Sequence, residues 1–160
     1  MTVKVNIFNK QKKIPITPAI RALIRKTCAT VLKNENFPGA ALVDVSIVDD
    51  GQIKLINNEC RGIDAATDVL SFPLGENGVY DTDPKTGAFM LGDIVLSIEH
   101  AIAQGELYGH GQDREIAYLT VHSMLHLLGY DHINSKSEKA LMREHEEAAM
   151  QMLGLTVKGE

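Results

Sequence analysis

The sequence predicts an α+β fold: a small, four-stranded mixed sheet packed with about five helices. Three observations carry this. Strand-like alternation and helical spacing interleave in the first half of the chain. Helical segments follow one another in the second half. Finally, 160 residues with 44% hydrophobic and 23% charged side chains suit one domain, residues 1–160, that can bury a real core.

The elements read in order as βαβαββααα. Val3 to Phe8 alternates as a strand and KQKKIP turns away from it. Thr17 with Pro18 supplies an N-cap and a proline at the first helical position. That helix runs to about Asn34 with Ile20, Leu23, Ile24, Val31 and Leu32 inward, and Phe37-Pro38-Gly39 breaks it. Leu42 to Val48 alternates as a second strand, and Asp49 or Asp50 caps a helix reaching about Cys60. Asp68 to Pro73 is a third strand. Glu76 to Thr86 is polar, with Gly, Asp and Pro, and reads as an exposed hairpin or flap. Met90 to Ser97 is the fourth strand, followed by a helix to about Tyr108. Asp113 is the expected cap of the next helix. Ser135 or Ser137 opens a last one to about Leu153, and Gly154 ends it.

Composition narrows the class. No apolar run approaches the roughly 20 residues of a membrane span, and MTVKVNIFNK has no signal-peptide core. Cys28 and Cys60 form no CxxC and read as reduced core thiols of a cytoplasmic protein. Net charge is −5, yet residues 1–34 carry eight of the sixteen Lys and Arg and none of the 21 Asp and Glu. Such asymmetry suits either an electropositive surface for phosphate backbones or a solvated helix face.

Function is written most clearly in HSMLHLLGYDH, residues 122–132. His122 and His126, four apart on an apolar helix, point one way. Gly129 stops the helix, and the returning turn brings His132 toward the same point from off the axis. Three imidazoles suit a zinc ion and leave its fourth position for water, the pattern of a catalytic site. The spacing matches the zinc-protease signature, but Ser123 stands where those enzymes carry their glutamate base. The sequence therefore predicts a metal-dependent hydrolase whose substrate is not a peptide.

Other candidates follow from chemistry. Asp131 adjoins a ligand; it is the candidate proton acceptor, or it holds a histidine ring, and the short turn favours the second role. Asp68, Asp93, Thr67 and Ser71 lie near strands, where capping or turn closure is at least as natural as chemistry. Tyr130 reads as packing. His100, His110 and His145 read as surface or cap residues, and Met124, Met142, Met150 and Met152 as packing residues.

HSMLHLLGYDH resembles the signature H-G-x-L-H-L-x-G-Y-D-H of the YbeY-type endoribonucleases, bacterial rRNA maturation factors, with Ser123 in place of glycine. NNECRGIDAATDVLSFPL is similar to that family's N-x-x-x-R segment and T-D-V-L-S-F-P strand, and LGDIVLS to its G-D-I strand. The likeness runs from about residue 40 to the end. It implies a zincin-like fold, one zinc on His122, His126 and His132, and Arg61 as the functionally important arginine. It also implies cleavage of single-stranded RNA in maturation of the 16S rRNA 3′ end and in ribosome quality control. Partners would be 16S rRNA and the small ribosomal subunit, with neither DNA nor membrane. A zinc peptidase, or a non-catalytic ribosome-assembly factor with structural zinc, are the competing readings.

Overall fold

The computed structural model describes residues 3–130 and 135–155. These residues form β1 (Val3–Asn9), α1 (Pro18–Asn34), β2 (Ala41–Val48), α2 (Asp50–Arg61), β3 (Val69–Pro73), β4 (Phe89–Ser97), α3 (Ile98–Tyr108), α4 (Gln112–Leu127) and α5 (Lys136–Met152). The order is the one expected, and the fold is α+β. The four strands lie in the order β1-β2-β4-β3, with β1, β2 and β4 parallel and β3 antiparallel at one edge.

Alternation explains the two sides of the sheet. Ala41, Val43, Val45 and Ile47 of β2 and Ile94 and Leu96 of β4 face a large core shared with α1, α3, α4 and α5. Val48, Leu70 and Val95 face the other way, against Ile53 of α2. The G-D-I segment has a steric cause. Pairing slips between Leu42 and Val43, so that Val43 faces Gly92 and Leu91 bulges into the core. Gly92 sits at φ 146°, where a Cβ would meet the Phe72 carbonyl at 2.3 Å, so only glycine lets edge strand β3 close on β4 here.

Caps set the helix starts. The Thr17 hydroxyl accepts from the Ile20 N–H, and Asp49 and Gln52 form a reciprocal capping box at α2. Ser97 caps α3 and Ser135 caps α5. The expected cap Asp113 is a correction: α4 begins at Gln112 with Gly111 at the cap position and no side-chain cap bond. The reason is the α3–α4 corner, where the Gly105 carbonyl accepts from both His110 and Gly111 N–H and fixes the chain two residues earlier. Asp113 still lies in the first turn, where its charge suits the helix dipole.

Three side-chain expectations also change. Cys28 is buried, which pushes its thiol up to about 12, but Cys60 is exposed. Fully buried residues of α2 are confined to Ile53 and Asn57, and its last turn overhangs the rim of a cleft. Met124, Met142 and Met150 are core residues, whereas Met152, at the end of α5, is exposed. His110 is not a surface residue: its side chain is buried, 3.8 Å from the Glu115 carboxylate.

Candidate active site

Helix α4 runs through the core against α1, α3, α5, β3 and β4. From Arg114 to Leu127 every residue is fully buried except Arg114, Tyr118, His122 and His126. Those four recur every fourth position, a single stripe along one side of the helix. The stripe opens onto a cleft of about 870 Å³ bounded by edge strand β3 and by the end of α2. Tyr118, His122 and His126 line it from α4, Val69 to Pro73 from β3, Thr67 and Asp68 from the segment before it, and Arg61 from α2. The structure thus brings the two histidines and Arg61 onto one cavity although 61 residues separate Arg61 from His122.

The two histidines converge. His122 Nε2 and His126 Nε2 stand 3.1 Å apart. Two tetrahedral nitrogen ligands at 2.0–2.1 Å from a zinc would stand roughly 3.3–3.4 Å apart, so the pair fits the edge of such a site. Glu146 of α5 settles which nitrogen faces inward. Its Oε2 lies 2.5 Å from His122 Nδ1. An ionised carboxylate only accepts, so a neutral His122 donates to it from Nδ1 and turns the lone pair of Nε2 to the cleft. Glu146 Oε1 accepts a second bond from the Tyr118 hydroxyl at 3.3 Å. Among the described residues no group of three or more His, Cys, Asp or Glu gathers as a metal site. The expected third ligand His132 and the candidate Asp131 lie outside the described residues.

Gly129 ends the helix as expected, at φ 104°, a value that L side chains rarely adopt. The turn is tied down behind it. Tyr130 N–H returns to the Leu125 carbonyl, and the Tyr130 hydroxyl donates to Glu35 Oε1 at 2.5 Å.

A family model described as Endoribonuclease YbeY matches residues 6–154, a span that includes the whole cleft. The chain belongs to the YbeY endoribonuclease family. It is 46% identical over 158 residues to the Endoribonuclease YbeY of Caldanaerobacter subterraneus subsp. tengcongensis, with 96% of this chain and 99% of that one covered. It is 44% identical over 162 residues to that of Caldicellulosiruptor bescii, with the same coverage. A Thermotoga maritima protein solved in solution shares the fold, with a TM-score of 0.60 at 23% identity over 98% of this chain and 99% of that one.

Within this YbeY-family chain the remaining candidates separate. Ser71 Oγ donates to Ser123 Oγ at 2.8 Å, a bridge from the edge strand to α4 between the two histidines. Ser123, the departure from the family signature, is therefore an anchoring residue, fully buried. Asp68 Oδ1 accepts from the Val69 N–H at 2.7 Å and shapes the start of β3. Asp93 lies away from the cleft, level with Asp44 of β2. Burial, and then the Asp44 charge, hold its carboxyl above the usual range. His100 and His145 each meet a carboxylate, Asp50 at 2.5 Å and Glu35 at 2.6 Å. None of the eight bases of residues 1–34 lines the cleft, where Arg61 is the one cation among the described residues.

Glu146 was missed by sequence reasoning. A signal existed: with Met142, Ala149 and Met150 it forms the buried stripe of α5. An acid on the apolar side of an amphipathic helix needs a buried partner, and a histidine is a natural one.

Proposed function

We propose that this protein is a zinc-dependent endoribonuclease of single-stranded RNA, acting in maturation of the 16S rRNA 3′ end and in ribosome quality control. The observation that carries the reading is the convergence of His122 Nε2 and His126 Nε2 at 3.1 Å in a cleft that Arg61 also lines. His132, two residues after Tyr130 in sequence, would complete the ligand set. Bound there, the ion would supply a water acidified to about pKa 7 and a Lewis acid for a phosphoryl oxygen.

The chain's own residues supply the rest. The Arg61 guanidinium binds the non-bridging phosphate oxygens and holds the charge that builds on them during cleavage. Arg61 ends an ordered helix, so its backbone is fixed while its exposed side chain reaches over the cleft. Glu146 fixes the tautomer and ring plane of His122. The Ser71–Ser123 bridge holds the edge strand against the histidine helix. Asp131, next to His132 in sequence, would hold a histidine ring, the role the short turn favours, or accept the proton. The small ribosomal subunit is the expected partner and the cytoplasm the expected compartment. No helix among the described residues is long and apolar enough to cross a membrane.

A peptidase reading lacks its base. Ser123 faces Ser71 from a fully buried position, and a hydroxyl is a poor proton acceptor at neutral pH. The test is cleavage of a single-stranded RNA by the purified chain, with chelator, and with zinc restored. Cleavage that stops with chelator, returns with zinc and is lost in His126→Ala supports the reading. Equal cleavage by His126→Ala in nuclease-free preparations, or turnover of unfolded protein instead of RNA, refutes it. Product ends separate two nucleophiles: a 2′,3′-cyclic phosphate reports the ribose 2′-hydroxyl, and a simple phosphomonoester reports water.

A further inference from the structure

A second cavity, of about 390 Å³, lies behind the Gly129–Tyr130 turn. Both of those residues also line the catalytic cleft, so the two cavities meet at the turn. The volume falls within the roughly 300–1,000 Å³ typical of small-molecule sites. Four aromatic side chains line it: Phe37, Tyr80, Phe89 and Tyr130, each only partly buried. Phe37 meets the Tyr80 ring at 6.2 Å and the Phe89 ring at 5.7 Å, edge to face in both cases. Four of the eight Phe and Tyr side chains of a tryptophan-free chain gather here.

The cavity also has a polar wall. Glu35 lines it, with its side chain 9% exposed, and its carboxylate is fixed by the Tyr130 hydroxyl at 2.5 Å and by His145 Nδ1 at 2.6 Å. Each oxygen takes one of these bonds, and a carboxylate oxygen accepts two. The group is therefore held in place and still able to accept an N–H. The opposite side is fixed too: the Tyr80 hydroxyl donates to the Leu127 carbonyl at 2.6 Å and pins the segment after β3 to the end of the histidine helix.

We propose that this cavity is a nucleobase subsite, which takes one base of the RNA strand next to the phosphate held in the cleft. The base stacks on an aromatic side chain and donates an N–H to Glu35. Rings of this kind suit a single strand because every base has a π-face, so stacking binds without demanding a sequence. Every base also carries an N–H on its pairing edge, which an acceptor-only carboxylate can receive. The inference rests on the RNA-cleaving reading above and adds to it a place where the strand is gripped.

The experiment titrates the metal-free chain with adenosine and with cytidine, which have no phosphate for Arg61, and follows backbone amide shifts. The expected result is saturable shifts at Gly78, Gly129 and Tyr130 in the millimolar range. Phe37→Leu, which keeps the bulk and removes the ring, should weaken binding roughly fivefold or more. Phe89→Leu repeats the measurement at a second ring. Shifts absent at 10-fold higher nucleoside, or unchanged affinity in both variants, overturn the subsite. Separately, RNA oligonucleotides lacking one base at successive positions should lose kcat/KM at one position beside the cut, and equal cleavage of all of them overturns it as well. If nucleosides bind but the zinc-loaded chain leaves RNA intact, the cavity stands as a base site and the catalytic reading falls. If RNA is cut but no nucleoside binds, the subsite alone falls.

Discussion

Replacing Glu146 tests whether the carboxylate behind His122 tunes a metal site or merely fills the core. In Glu146→Gln the side chain keeps its shape and loses its charge. The amide has one oxygen to offer, whereas the carboxylate serves His122 Nδ1 with one oxygen and the Tyr118 hydroxyl with the other. A hydrogen bond to a charged group contributes about 1.5–3 kcal/mol and a neutral one about 0.5–1.5. The loss at His122 is thus about 1–1.5 kcal/mol, which is roughly five- to twelvefold in zinc affinity. Glu146→Ala leaves Nδ1 without this acceptor and frees the ring to turn, so its loss should approach the upper end of the 10- to 100-fold range typical of such partners. Competition against a chromophoric chelator measures the affinities, and thermal unfolding with and without zinc gives a second measure through linkage. A purely structural role makes a different pattern: both variants would lower the unfolding temperature of the metal-free chain and leave zinc affinity within twofold of wild type. That pattern would refute the orienting role.

Other expectations follow from the same geometry. Arg61→Ala should lower kcat/KM on RNA by about 10²- to 10³-fold, as for loss of a charge-stabilising donor, with Arg61→Lys intermediate. Because Arg61 is exposed, its stability change should stay within about 0.5 kcal/mol in urea. Asp93→Asn should stabilise the chain at pH 7. The Asp93 carboxyl is held above its ordinary 3.8 by burial and by Asp44, so its ionisation costs stability as pH rises through the raised value, and the cost is absent below 3.8. Urea curves at pH 3.5 and pH 7 should therefore show a gain for Asp93→Asn only at the higher pH; an equal gain at both would count against the argument. For Ser71→Ala and Ser123→Ala, a double-mutant cycle should return a coupling of about 0.5–1.5 kcal/mol, and additive effects would mean that the bridge contributes nothing.

Much of the fold was legible because its elements obey single-period patterns. The alternation of residues 42–48 and the Thr17-Pro18 start read directly as a strand and a capped helix, and the structure has both. What escaped depends on contacts that no local pattern encodes. The start of α4 is set by a carbonyl of the preceding helix, so the better capping residue Asp113 lost to a corner. The site divides similarly. His122 and His126 are four residues apart on one helix, and spacing alone brings them together. Arg61 needed the β3 edge to reach the same cleft, and only the resemblance to a known family pointed to it. Glu146 lies 24 residues from its histidine and Glu35 lies 110 from His145, so tertiary packing alone makes those pairs.

Those two unforeseen pairs meet on one helix. His145 and Glu146 are adjacent in α5, and neighbours on a helix point about 100° apart. Glu146 reaches His122 in the cleft, and His145 reaches Glu35 in the aromatic cavity. Helix α5 is therefore a common support for both sites, held to the core by Met142, Ala149 and Met150. The contact is local in geometry but joint in effect: a shift of α5 by a fraction of an ångström would loosen the His122 ring and the Glu35 carboxylate together. A cut in RNA requires the scissile phosphate and a flanking base to be held at a fixed separation. On the proposed reading, placing both supports on adjacent residues of one helix would keep that separation constant.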